Sequence, residues 1–206
     1  MRILLTVALF LSIAGISYGQ NSTPQKAEAQ RLINQAGDLM YDVGDGSLAQ
    51  KNGNLKKSII LAKKAIELDS SRFVAYQILM GSYQMLHEPR GIINTCSEWL
   101  RNHPNDMNVR LRRGIIYHRT QKQNLADKDF KFVKDGLVKA HIKISNKLSE
   151  KEIAAIVSNA YTYLLIGEKK TSLNTMESLC KAFPNDKKLV ETYKKIQTID
   201  IEKESI

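Results

Sequence analysis

Basic side chains gather in one stretch of this sequence, and they are its best candidates for binding chemistry. Residues 107–143 contain 10 basic and 3 acidic residues, whereas residues 20–106 and residues 144–206 each contain 10 basic and 9 acidic residues. Four of these cations are arginines, whose planar guanidinium group can hold a carboxylate through two hydrogen bonds. They are Arg110, Arg112, Arg113 and Arg119. The pattern favours either a binding site for an anionic group or a solvated charged face.

Residue sets typical of catalysis do not occur in the sequence. It has no glycine-rich phosphate loop and no Cys-x-x-Cys pair. The four histidines lack the paired spacing of a metal site, and we interpret them as solvated or helix-capping residues. They are His87, His103, His118 and His141. We therefore predict a protein that is not an enzyme and that carries neither a metal nor another cofactor.

A repeated Pro-Asn-Asp sequence predicts the elements that position the arginines. It occurs at residues 104–106 and 184–186, each time directly after an amphipathic segment with helical spacing. Proline lacks the amide hydrogen that would continue a helix, so each copy predicts a helix end. Helix ends that recur at a long, regular distance are typical of helical repeats.

The apolar spacing between residues 73 and 104 predicts two helices, separated by a turn at residues 87–91. Counted from Phe73 as position 1, the apolar side chains and the final proline are Tyr76 at 4, Leu79 at 7, Tyr83 at 11, Cys96 at 24, Trp99 at 27 and Pro104 at 32. This spacing resembles the tetratricopeptide repeat, a helix-turn-helix unit of 34 residues.

Two further units follow the same spacing. Counting from Met107 puts Gly114 at position 8 and Ala126 at position 20, and counting from Ile153 puts Ala160 at position 8. Arg110 and Arg113 fall at positions 4 and 7, where the family has large apolar side chains. Twelve extra residues lie between the third and fourth units, and we expect them in an extended second helix or in a loop.

The resemblance implies an all-α fold, in which antiparallel helix pairs stack into a right-handed superhelix. We expect residues 20–206 to form a single domain of about four units plus a closing helix. The expected units are residues 24–70, 71–104, 107–148 and 149–184, with a capping helix over 186–203. In the first unit, we expect a polar loop to Asn54 and a second helix from Leu55.

The resemblance also implies that the first helix of each unit lines a concave groove. The candidate binding residues that this implies are Gln77, Gln84, Asn108, Arg112, His118, Arg119 and Tyr161, and the basic cluster adds Arg110 and Arg113. A protein of this family is expected to be a scaffold that binds another protein or a peptide, here an acidic one. The alternative is a receptor for a non-protein anion: an acidic polysaccharide, a lipid headgroup or a nucleic acid. Nucleic acid is the less favoured of these, because only Tyr117 interleaves with the arginines.

The N-terminus has the pattern of a secretory signal peptide. Arg2 precedes an uncharged, mainly apolar run from Ile3 to Ile16, and small residues follow at Ser17 and Gly19. The run is shorter than the ~20 residues of a membrane span, although a short anchor is the alternative. We expect cleavage after Gly19 and a periplasmic or secreted protein. Cys96 and Cys180 fall on different units, so we predict two buried free thiols and no disulfide.

Overall fold

The computed structural model describes residues 23–42 and 47–199, and in these ranges the chain forms nine helices and no strand. The helices are α1 (Pro24–Tyr41), α2 (Leu48–Leu68), α3 (Phe73–Met85), α4 (Pro89–Asn102), α5 (Met107–Arg119), α6 (Gln123–Lys139), α7 (Glu150–Leu165), α8 (Lys169–Ala182) and α9 (Lys187–Thr198). Short turns connect the two helices of most pairs, and each helix packs against the next from α1 to α5 and from α7 to α9. This confirms the predicted all-α fold of helix pairs. The predicted signal peptide lies outside the described residues.

The described residues fall into two compact units, which we call the first unit (to Asp129) and the second unit (from Phe130). Tyr76, Met80 and Cys96 are among the most deeply buried side chains of the first unit. In the second unit, Met176, Leu179 and Ile196 are among the most deeply buried side chains. Each unit therefore buries an apolar cluster of its own. The single domain over residues 20–206 stays a prediction.

The two Pro-Asn-Asp sequences each end one helix and begin the next. The Asp106 carboxylate accepts hydrogen bonds from the amides of Asn108 and Val109, both at 3.1 Å. The Asp186 carboxylate accepts the equivalent bonds from Lys188 and Leu189, at 3.0 and 3.2 Å. An aspartate in this position satisfies amides of the first turn that have no partner within the helix. The proline and the aspartate thus fix a tight junction between successive helix pairs.

The junction at Asp106 also fixes the only tryptophan of the sequence. The indole Nε1 of Trp99 donates to Asp106 at 2.9 Å. The imidazole of His103 stacks on the indole with 3.6 Å between the ring centroids and 8° between the planes. Phe73 and Tyr76 contact the same indole. The end of α4 and the start of α5 are therefore held by one aromatic cluster.

Helix boundaries agree with the sequence prediction at α1 and α7 and differ at α2. Thr23 caps α1, and Ser149 with Glu152 forms the predicted capping box of α7. The prediction of a polar loop to Asn54 is wrong, because α2 already begins at Leu48. Ser47 accepts a hydrogen bond from the Gln50 amide and so caps the helix seven residues earlier than we expected.

The twelve extra residues form both of the expected structures. Helix α6 continues to Lys139, so Gly136 lies inside a helix, and an irregular connection covers residues 140–149. The predicted capping helix is present as α9, although residues 200–203 lie outside the described residues. Among the described residues, no helix combines the length and the apolar character needed to cross a bilayer.

Both cysteines are free thiols in the structure. Cys96 is fully buried, and burial raises the pKa of its thiol to about 12. The prediction that Cys180 is buried is wrong, since it is only half-buried on α8. Its pKa is also raised by partial burial. The reactive form of a cysteine is the thiolate, so both shifts make these thiols less reactive.

Close packing in the first unit predicts opposite effects for two glycine-to-alanine substitutions. A Cβ at Gly91 would lie 2.4 Å from the Tyr83 ring, whereas a Cβ at Gly53 would meet no atom within 4 Å. We expect Gly91→Ala to lower the free energy of unfolding by about 1–3 kcal/mol, because the ring must move. Gly53→Ala should raise it by about 0.5–1 kcal/mol, because alanine is the better helix former. Urea denaturation measures both, and an equal effect of the two substitutions would contradict this packing.

Candidate binding site

The first helices of successive pairs, α1, α3 and α5, lie side by side in the first unit. Helices α1 and α3 approach closely at Gly81, where a Cβ would lie 2.9 Å from the sulfur of Met40. Helices α3 and α5 are joined by a hydrogen bond of 2.7 Å from Nη2 of Arg112 to Oε1 of Gln84. We call this surface of α1, α3 and α5 the first-helix face. It is the surface on which the sequence predicted a binding groove.

Arg112 is the most distinctive charged group on the first-helix face. Its side chain is half-buried, and burial lowers the pKa of its guanidinium. Its hydrogen-bond partner, Gln84, is a neutral amide, and Arg112 makes no ion pair with a carboxylate of the described residues. A partly dehydrated cation without a counter-charge is a favourable place for an incoming anion.

Four other predicted site residues lie on α3 and α5 in the same unit. Gln77 is half-buried on α3. Asn108, His118 and Arg119 are exposed on α5, and Nδ1 of His118 lies 2.8 Å from Oε1 of Gln123. The structure therefore places polar groups along α5 on either side of Arg112. They can form hydrogen bonds to the backbone or the side chains of a bound segment.

The side chains of Arg110 and Arg113 form hydrogen bonds and ion pairs within the protein. The guanidinium of Arg113 donates to Asp129 from Nε and Nη2, both at 2.8 Å, and from Nη1 to Oγ of Ser97 at 3.0 Å. Nη1 of Arg110 donates to the same carboxylate at 3.3 Å, and its Nε donates to the Pro104 carbonyl at 2.9 Å. The pKa of Arg113 is raised, chiefly by its hydrogen bonds to Asp129. These two arginines fix α5 against α6.

Asp129 is the residue that sequence reasoning missed. Its side chain is 2% exposed, and it lies on α6 directly before Phe130. Arg110 and Arg113 stand at repeat positions that normally carry large apolar groups. A charged residue on the apolar stripe of the facing helix was therefore the available signal, because two partly buried cations favour a buried anion between them.

Tyr161 belongs to the second unit and is not part of the first-helix face. It is half-buried on α7 and packs against the apolar cluster of that unit. Burial raises the pKa of its hydroxyl. Within residues 23–42 and 47–199, no three histidine, cysteine or acidic side chains gather as metal ligands.

The packed helix pairs define this protein as an all-α helical protein, and its repeat spacing resembles that of the tetratricopeptide repeat. Among solved structures, it is similar to the crystal structure of a tetratricopeptide repeat protein from Parabacteroides merdae ATCC 43184. The sequence identity is 18%, the TM-score is 0.44, and the match covers 82% of this chain and 72% of that chain. No protein-family model and no curated protein matches the sequence.

Removing the Asp129 carboxylate should destabilise the first unit strongly. Asp129→Ala leaves Arg110 and Arg113 partly buried without their counter-charge, and we expect the free energy of unfolding to fall by about 3–5 kcal/mol. Asp127, on the same helix, is exposed and accepts a hydrogen bond from Gln123. Asp127→Ala is the matched control and should change stability by less than about 1 kcal/mol. Urea denaturation compares the two, and a small effect at Asp129 would show that the cluster adds little stability.

Proposed function

We propose that this protein is a non-enzymatic scaffold that binds a segment of a partner protein on the first-helix face. The observation that carries the proposal is the half-buried guanidinium of Arg112, which has Gln84 as its hydrogen-bond partner. A carboxylate of the partner would pair with Arg112 at the point where α3 and α5 meet. Asn108 and Gln77 would contact the rest of the segment.

Electrostatics supports a carboxylate at this position. The removal of water from a cation is costly, and an anion that pairs with a guanidinium already dehydrated by the fold avoids part of that cost. The existing bond to Gln84 also holds the guanidinium in a fixed orientation, which reduces the entropy lost on binding. The dehydration and the fixed orientation of the Arg112 guanidinium thus favour binding of an acidic residue of the partner.

Charge pairing argues against the alternative, a general receptor for non-protein anions that uses the whole basic stretch. Four of the ten basic residues in 107–143 form ion pairs within the protein: Arg110 and Arg113 with Asp129, Lys131 with Asp135, and Lys134 with Glu168. Asp129 is a buried partner, and the two lysine pairs lie at the surface. Positive charge that is paired with a carboxylate of the same protein attracts a polyanion less than unpaired charge does. A receptor for extended polyanions depends on many unneutralised contacts.

Charge reversal at Arg112 tests the proposed site. Wild-type protein, Arg112→Glu and Arg90→Glu would be used to capture partners from a bacterial envelope extract, followed by quantitative mass spectrometry. Arg90 is exposed on α4, so its reversal makes the same change of net charge away from the face. We expect a discrete protein to be retained by wild type and by Arg90→Glu. Arg112→Glu should lose it by about tenfold or more, because attraction becomes repulsion.

The control for folding is thermal unfolding of all three proteins by circular dichroism. If the same protein is retained equally by both variants, the interface lies elsewhere. If heparin or DNA elutes the captured protein while an acidic peptide does not, the receptor for non-protein anions becomes the better interpretation.

We also propose that the chain is exported, with residues 1–19 as a cleaved signal peptide. The supporting observation is the charge at Arg2 followed by the uncharged run to Ile16. When the whole chain is expressed in a Gram-negative host, the protein should appear in the envelope fraction. Its intact mass should equal that of a chain that begins at Gln20. Replacement of Leu9 by Arg interrupts the apolar run and should leave the uncleaved chain in the cytoplasm. An uncleaved wild-type product would contradict the proposal and favour a short anchor.

A further inference from the structure

The connection between α6 and α7 is longer than the other connections of the repeat, and its charged side chains are basic. It covers residues 140–149, whereas the connection between α4 and α5 covers only residues 103–106. Insertions in helical repeats lie on the surface and often on the face that binds partners. The segment belongs entirely to the second unit.

Apolar side chains hold the connection against the second unit. Ile142, Ile144 and Leu148 are partly buried, and they pack on the cluster that includes Ile156 and Met176. Three such contacts within seven residues fix the path of a segment that has no regular structure. A prearranged segment loses less conformational entropy when a partner binds.

The residues between these anchors are exposed and basic. Lys139, His141, Lys143 and Lys147 are all exposed, and residues 136–149 contain no acidic residue. Along 141–145, exposed residues alternate with the half-buried Ile142 and Ile144. A period of two is typical of an extended chain, in which alternate side chains point to opposite sides. His141 and Lys143 thus share the outward side.

Within the connection, the backbone of residues 141–146 is not paired with the rest of the described chain, whereas the Ala140 amide donates to the Gly136 carbonyl and the Ser149 amide to Glu152. The amides of residues 141–146 donate no hydrogen bond to any described residue, and that of Lys147 reaches only Oγ of Ser145, at 3.4 Å. Backbone amides and carbonyls need partners, from water or from another chain. An extended segment with unpaired groups can accept a strand of another polypeptide.

We propose that residues 139–147, the basic strip, form a docking site for an extended acidic segment of a partner polypeptide. The segment would lie along residues 141–146 and pair with their backbone, and its acidic side chains would face Lys139, Lys143 and Lys147. The backbone pairing favours a polypeptide over other polyanions. Residues 133–148 contain no phenylalanine, tyrosine or tryptophan on which a base could stack. The basic strip lies in the second unit and is independent of the first-helix face.

Binding of a defined peptide tests the basic strip. The probe is a fluorescein-labelled ten-residue peptide of alternating glutamate and threonine, titrated by anisotropy against the full chain. The test variant is Lys139→Glu with Lys143→Glu and Lys147→Glu. The control is Lys170→Glu with Lys187→Glu and Lys194→Glu, three exposed lysines of the same unit and hence an equal change of net charge. We expect affinity to fall about tenfold or more in the test variant and less than about threefold in the control.

Hydrogen exchange and competition complete the test. The amides of residues 141–146 should exchange more slowly when the peptide is bound, because they become hydrogen-bonded. Equal weakening in both triple variants, or unchanged exchange at these amides, would overturn the proposal. So would a wild-type protein that does not bind the peptide at about 1 mM. Heparin or oligothymidylate that binds more tightly than the peptide, and that loses binding in the test variant, would assign the basic strip to a non-protein polyanion instead.

Discussion

The buried carboxylate of Asp129 holds the helix on which the candidate site depends. Helix α5 contributes only Val109 and Gly114 as fully buried residues, and its Ile116 packs on the apolar cluster as a partly buried side chain. Arg110 and Arg113 add to the fixing of its orientation, because they lie three residues apart on one side of the helix and both bind Asp129. Arg112 then lies on another side of α5 and reaches Gln84 on α3. An ion pair inside the fold thereby separates the two arginines that stabilise α5 from Arg112, which lies on the first-helix face.

Net charge alone did not separate the roles of these cations. The sequence contains one basic stretch. The structure divides it into arginines paired with the buried Asp129, lysines paired at the surface, the half-buried guanidinium of Arg112 and exposed lysines such as Lys139 and Lys143. The division depends on where each side chain lies relative to carboxylates distant in sequence, such as Asp129 and Glu168. The attraction between two opposite charges weakens with the distance between them and strengthens when they are buried. Neither the distance nor the burial of a charged group can be read from the clustering of charges in the sequence.

Local signals predicted the helices well, and longer-range contacts limited the prediction of the site. Pro104 with Asp106 and Ser149 with Glu152 act within a few residues, so their effect on helix ends could be read from the sequence. The predicted start of α2 is too late, because a polar sequence can form either a loop or an exposed helix, and Ser47 caps the helix here. The pairing of Arg113 with Asp129 joins residues 16 apart and could be inferred only once α5 and α6 are known to pack together. Tyr161 shares a repeat position with groove residues but belongs to the other compact unit.

The fluorescence of Trp99 reports on the structure of only one part of this protein. As the only tryptophan, it accounts for most of the intrinsic fluorescence, and it lies at the α4–α5 junction of the first unit. The stacked imidazole of His103 is close enough to influence its emission. Fluorescence therefore follows the opening of this junction, whereas circular dichroism averages over the helices of both units. The two signals coincide only when both units unfold in one cooperative step, so their comparison measures how strongly the units are coupled.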